Sequence, residues 1–148
     1  MALRRVHLSC LHGLDEDTLH TRMNAIFDRL EMNEFRNRRC DKLSTGMKQK
    51  VSIARTLVHD PTVMIFDEPT LGLDVMAARS ICSFVGECRD LGKTVILSTH
   101  VMSEVEKLCD RIGIIHGGKL LDEGTLPDLR QRFGMQSLED IFVKVVES

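Results

Sequence analysis

Tryptophan and tyrosine are both absent from these 148 residues, so a planar ligand finds no polar-edged ring of either kind to stack on. No apolar run approaches the ~20 residues of a membrane-spanning helix. Met1 to Leu14 carries Arg4 and Arg5, but His7, Ser9 and His12 break its apolar stretch, and it does not read as a signal peptide. The five cysteines (Cys10, Cys40, Cys82, Cys88, Cys109) contain no Cys-x-x-Cys pair, and their odd number fits reduced thiols better than a disulfide framework. Charge of one sign is lacking too. A formal net charge of −2 argues against nucleic acid as a partner, and the basic cluster Arg36, Arg38, Arg39, Lys42 reads as a solvated face. The eight methionines fall mostly at helical spacing, as core filler does. What remains is the composition of one ordinary globular domain, long enough to bury a core.

The most informative stretch is Thr62-Val-Met-Ile-Phe-Asp67-Glu68-Pro69. Its apolar, β-rich run between Pro61 and Pro69 predicts an inner strand of a covered parallel sheet, with Asp67 and Glu68 at its carboxyl end, where such sheets bind ligands. Two adjacent carboxylates can divide labour: one holds a Mg²⁺ through its water shell, the other takes a proton from an attacking water. After a lone apolar run the same pair would mark no more than a turn. Upstream, Ser44 or Thr45 caps a helix whose apolar positions Met47, Val51, Ala54, Leu57 and Val58 recur with helical spacing, and Gly46 lets a group approach its backbone. A helix start of this kind attracts anions, although most such caps bind nothing. Downstream, Thr70-Leu71-Gly72-Leu73-Asp74 leads into an amphipathic helix from about Val75 to Arg89, with Asp74 as N-cap. A second strand, Thr94 to Ser98, runs into Thr99 and His100, which places an imidazole where a phosphate could be touched.

In that order, Leu43-Ser44-Thr45-Gly46-Met47, Ile65-Phe66-Asp67-Glu68-Pro69-Thr70, Leu71-Gly72-Leu73-Asp74 and Ser98-Thr99-His100 resemble the nucleotide-binding subunit of an ABC transporter. The resemblance runs from about Gly13 to Val146. In the run Ser44 to Lys50 and in Val58 to Pro61 the chain is similar to ATPases of sodium-exporter and related drug-exporter systems. The resemblance implies a P-loop NTPase-like α/β fold: a partial parallel sheet covered by helices, with a small helical subdomain at the N-terminus. It makes Leu43 to Met47 the signature loop, Asp67 the Mg²⁺ aspartate, Glu68 the general base, Asp74 a link between sites and His100 the switch histidine. The loop departs from the common Leu-Ser-Gly-Gly-Gln at Thr45 and Met47 but keeps the Ser44 hydroxyl and the Gly46 N–H. ATP and Mg²⁺ are the implied cofactors. The implied partners are transmembrane permease subunits and a second ATPase subunit, paired head to tail at the cytoplasmic face of the membrane.

No Gly-x-x-x-x-Gly-Lys-Ser/Thr run occurs anywhere in the sequence, nor a candidate glutamine loop. The chain therefore reads as the C-terminal portion of such a domain: residues 1–60 a helical-subdomain segment ending in the signature helix, 61–148 the rest of the ATPase core. Two functions are expected of it, ahead of a third, a soluble ABC-type ATPase of DNA repair or translation, against which stand the lack of a coiled-coil insertion or marked basic balance and the exporter-like signature. One is part of an exporter's ATPase, inactive without the cradle; the other is a non-catalytic module that pairs with a full-length ATPase or a membrane subunit. Around these motifs, Asp15 is expected to cap a helix with Leu19, Met23, Ile26, Phe27 and Leu30 on one face. A hairpin is expected around Gly117-Gly118, a helix opening at Pro127, and a last helix capped by Ser137. By resemblance the strand feeding the phosphate loop would run between the strand at Thr94 and that at Arg111. Its absence from this sequence predicts exposed apolar surface and a non-native oligomer.

Overall fold

The computed structural model describes residues 15–147; the reading of Met1 to Leu14 and Cys10 lie outside them. In order the elements are α1 (Glu16–Arg29), a 3-10 turn (Cys40–Lys42), α2 (Thr45–Leu57), β1 (Val63–Asp67), α3 (Val75–Asp90), β2 (Thr94–Ser98), α4 (Met102–Leu108), β3 (Ile112–His116), β4 (Lys119–Gly124), α5 (Leu126–Phe133) and α6 (Leu138–Val146). Packing divides the chain into two compact units, Met1–Ile96 and Leu97–Ser148.

In the first unit the helices begin where a side chain replaces the missing backbone acceptor. Asp15 Oδ1 takes the Thr18 N–H at 2.8 Å, Ser44 Oγ that of Met47 at 3.2 Å, and Asp74 Oδ1 that of Ala77 at 2.9 Å. The expected face of α1 is buried at Leu19, Ile26 and Phe27 and continues to Leu30. Helix α2 packs on α1 and α3, burying Ile53, Ala54 and Leu57. It also buries Lys50, 8% exposed, a lysine that no local sequence pattern places inside. Lys50 Nζ reaches Glu31 Oε2 at 3.3 Å, and Glu31 sits in a left-handed conformation at φ 54°.

Strands β1 and β2 form one sheet; the Thr94 N–H donates to the Thr62 carbonyl at 2.9 Å, joining the two strand starts side by side, as a parallel pair connected through α3 requires. Here the expectation of a covered inner strand needs correction. Met64 and Phe66 are buried, but Val63 is 53% and Ile65 72% exposed, and Ile96 on β2 is 54% exposed. Both faces of β1 are apolar, yet among the described residues helices cover only one.

The second unit is built on an antiparallel hairpin. Gly117 and Gly118, both at positive φ (55° and 75°), make the two-residue turn that the right-handed strand twist favours. Register runs from Ile112 opposite Gly124 to His116 opposite Lys119, with a bulge at Leu121. Ile112 and Ile114 meet Leu129 of α5 and Leu138 and Ile141 of α6 in one apolar cluster. Pro127 lies in the first turn of α5, behind a capping box of Thr125 and Asp128 that went unread in the sequence. Ser137 caps α6 as expected, its Oγ taking the Asp140 N–H at 3.2 Å. Among the described residues, Cys40, Cys82, Cys88 and Cys109 form no disulfide.

Several carboxylates are held below their ordinary range: Glu31 by the Ser80 hydroxyl and then Lys50, Asp60 by Lys93, Asp122 by Arg132, and Asp128 by Thr125. Protons therefore bind the unfolded chain first, and these groups stabilise the fold fully only above their unfolded values, 4.5 for Glu31 and 3.8 for Asp60. The urea midpoint should be level from neutrality to about pH 5 and then fall as the solution is acidified through the folded values. Glu31→Gln with Asp60→Asn should flatten that fall. A midpoint that stays constant down to pH 3 would contradict the assignment.

Candidate functional site

The carboxyl end of β1 is where the chain turns most sharply. Asp67 closes the strand with its side chain exposed. Glu68, half-buried, takes a left-handed conformation at φ 44°, uncommon for a residue with a Cβ. The Leu71 N–H returns to the Glu68 carbonyl at 3.1 Å and that of Leu73 to the Thr70 carbonyl at 3.2 Å, a double turn that delivers Asp74 to the start of α3. Strain of this kind costs on the order of 1–3 kcal/mol and gathers at functional sites. The strand ends at Asp67, and Glu68 lies outside it in the turn.

The loop Leu43–Met47 is anchored from behind. Leu43 is buried, Ser44 and Thr45 are exposed, and Gly46 is buried against α3. A Cβ on Gly46 would stand 2.8 Å from the Ala77 Cβ and 4.0 Å from Asp74 Oδ2. The N-termini of α2 and α3 thus meet at a point where only glycine fits. This contact joins Ser44, Thr45 and Gly46 to Asp74 in space, twenty-eight residues after Gly46 in sequence. Ala77, which makes it possible, carried no signal that sequence reasoning could have used.

An open cleft of about 320 Å³ runs between α2 and β1, with Asp67 among its lining, Gln49, Ser52 and Thr56 on its helical wall and His59 in the turn that follows. Among the described residues no group of three or more His, Cys, Asp or Glu could hold a metal ion. One carboxylate at a strand end fits a Mg²⁺ that keeps most of its water and takes further oxygens from a phosphate; it does not fit a cage made by this chain alone.

His100 belongs to the second unit, in the exposed turn between β2 and α4. Thr99 fixes that turn: its hydroxyl accepts the Val101 N–H at 3.1 Å and donates to Glu104 Oε2 at 3.0 Å. Of the basic cluster, Arg36 stacks over the Phe27 ring at 5.1 Å and donates to Asn24, while Arg39 pairs with Asp41.

Residues 5–71 match the protein family described as ABC transporter. The chain is 38% identical over 133 residues to the ABC transporter ATP-binding protein NatA of Bacillus subtilis, covering 90% of this chain and 54% of that protein. It is 37% identical over 117 residues to the Nod factor export ATP-binding protein I of Rhizobium etli, covering 79% of this chain and 37% of the relative. A solved ATP-binding subunit of an ABC transporter superposes with a TM-score of 0.81 at 31% identity, over 94% of this chain and 59% of its own. The chain spans about half the length of the relatives it matches.

The Gly46 contact makes a prediction. Gly→Ala inside a helix ordinarily gains about 1 kcal/mol. Here Gly46→Ala should destabilise by about 1–3 kcal/mol through overpacking, and Ala77→Gly should rescue most of that loss. A double-mutant cycle in urea measures the coupling; additive effects would mean that the two helix starts do not touch.

Proposed function

We propose that this chain, a homologue of the ATP-binding subunits of ABC transporters with the fold of their P-loop ATPase domain, is the phosphate-capping and carboxylate-bearing portion of an export ATPase. The observation that supports the reading is the Gly46 contact, which sets the signature-like loop against Asp74 and Ala77, at the end of the turn that begins after Asp67. In this reading residues 1–60 are the helical-subdomain segment and residues 61–148 the rest of the core.

Each residue then has a task. Ser44 offers its hydroxyl, and Gly46 its backbone N–H at a helix start, to the γ-phosphate of a nucleotide held by the facing subunit, with Thr45 between them. The Ser44 hydroxyl can still donate while its oxygen accepts from Met47. Asp67 would hold Mg²⁺ through its water shell, and the ion, when bound, would supply positive charge against the phosphates. Glu68 orients a water and takes its proton. Asp74, fixed as the cap of α3, lies where one site can sense the other. His100 supplies a hydrogen bond to the γ-phosphate. The sequence offers no backbone cradle or lysine for the β- and γ-phosphates, so turnover requires a segment that it does not contain. Transmembrane permease subunits and a second ATPase subunit are the partners this assigns, at the cytoplasmic face of the membrane.

Without the cradle the chain alone should show no saturable MgATP binding by calorimetry at micromolar concentration. Joined to a phosphate-loop segment it should bind and turn over, and Glu68→Gln in that form should lower the rate about 10²–10⁴-fold while binding persists. Micromolar affinity in the chain alone, or near-parental turnover of the variant, would overturn these roles.

A second reading, a non-catalytic module that pairs with another chain, is favoured by the uncovered sheet face at Val63, Ile65 and Ile96. A parallel pair with one bare apolar face gains from burial against another copy. Sedimentation at micromolar concentration should therefore show a dimer, and Ile65→Lys should shift it to monomer without unfolding it. A stable monomeric parent would contradict this.

A further inference from the structure

Apart from the residues given to nucleotide, the first unit has a second concavity, of about 220 Å³, between α1, the C-terminal ends of α2 and α3, and β1. Its floor is apolar and made of buried side chains: Ile26, Leu57, Met64, Phe84 and Cys88. Its rim is charged and uneven, with Arg22, Arg29 and Lys93 against Asp60. Lys93 Nζ is taken by Asp60 Oδ1 at 2.6 Å, and Arg29 Nε by Glu87 Oε2 at 3.5 Å. Arg22 has a weaker engagement: its Nη1 donates to the Val58 carbonyl at 3.3 Å. Three cations thus face two carboxylates, and the charge left over is that of Arg22. The field reaches across the rim, because Asp60 is held low first by Lys93 and then also by Arg22 and Arg29. Burial pushes the Cys88 thiol up, so the floor stays neutral at physiological pH.

We propose that this pocket binds a small amphiphilic monocarboxylate, its head on the Arg22 guanidinium and its apolar tail against Leu57, Met64 and Phe84. The carboxylate converts the leftover charge into a charge-assisted, fork-shaped pair, which Arg forms better than any other side chain. The tail removes apolar wall from water. The volume falls short of the ~300 Å³ at which drug-sized ligand sites begin, which selects a short chain and excludes a nucleotide. An alkylammonium of the same length would bring a like charge to the rim, and an alcohol would leave Arg22 uncompensated.

The test uses the whole chain, methyl-labelled for NMR, with sodium octanoate as the probe and octylammonium and 1-octanol as matched controls. Octanoate should give saturable shifts at the Met64 and Ile26 methyls, octylammonium none, and octanol binding at least about tenfold weaker. Arg22→Gln should weaken octanoate by about tenfold or more, whereas Arg22→Lys, which keeps the charge, should lose less. Ala25→Leu narrows the mouth without touching a charge and should abolish the shifts; if Arg22→Gln fails to fold, this variant and the octylammonium comparison decide. No saturable octanoate shift, an equal response to octylammonium, or an unchanged affinity in a folded Arg22→Gln overturns the proposal. Since no nucleotide enters the experiment, its outcome is separate from that of the ATPase reading.

Discussion

The N-terminus of α2 lies against the N-terminus of α3 with no room for a Cβ at Gly46, and the arrangement of the candidate site follows from that contact. Both helices begin at a side-chain cap, Ser44 for one and Asp74 for the other. Because the caps fix where each helix starts, the close approach fixes the two loops that precede them. Those loops carry Ser44 and Thr45 on one side and the run from Asp67 to Asp74 on the other. Moving either helix by the width of a methyl group would separate residues that the proposed chemistry needs on one framework.

Two departures from local comfort stand beside this contact. Glu68 occupies a left-handed conformation that glycine would adopt at less cost, and the turn that follows is closed by two backbone hydrogen bonds. The other departure is the bare face of β1 and β2, where three large aliphatic side chains meet water. Hydrophobic side chains on both faces of a strand are the mark of a sheet meant to be covered twice. The proposed function requires a phosphate-cradling segment that this sequence does not contain.

Much of this was legible beforehand, for local reasons. Asp15, Ser44, Asp74 and Ser137 announce helices because an N-cap depends only on the three residues that follow it. Gly117-Gly118 announces its turn because few other pairs take positive φ twice. The order of motifs pointed to the fold that the solved relative shares. What stayed hidden depends on tertiary distance. Nothing in the sequence near Lys50 shows that Glu31 will meet it, so its burial was unreadable. Nothing near Ala77 shows that it will touch Gly46. The pattern Val63-Met64-Ile65-Phe66 says that both faces of β1 can be buried, but not that a helix will be present to bury each. Within the site, the residue types could be read from spacing, whereas the backbone strain at Glu68 and the fixing of His100's turn by Thr99 required coordinates.

Direct contact between Gly46 and Ala77 holds the signature-like loop against the start of α3. Nuclear Overhauser spectroscopy of the free chain in solution tests it most directly. A strong cross-peak is expected between the Gly46 α-protons and the Ala77 methyl. Its absence, with both residues assigned and both helices formed, would mean that the two helix starts stand apart and that the site is not assembled as described.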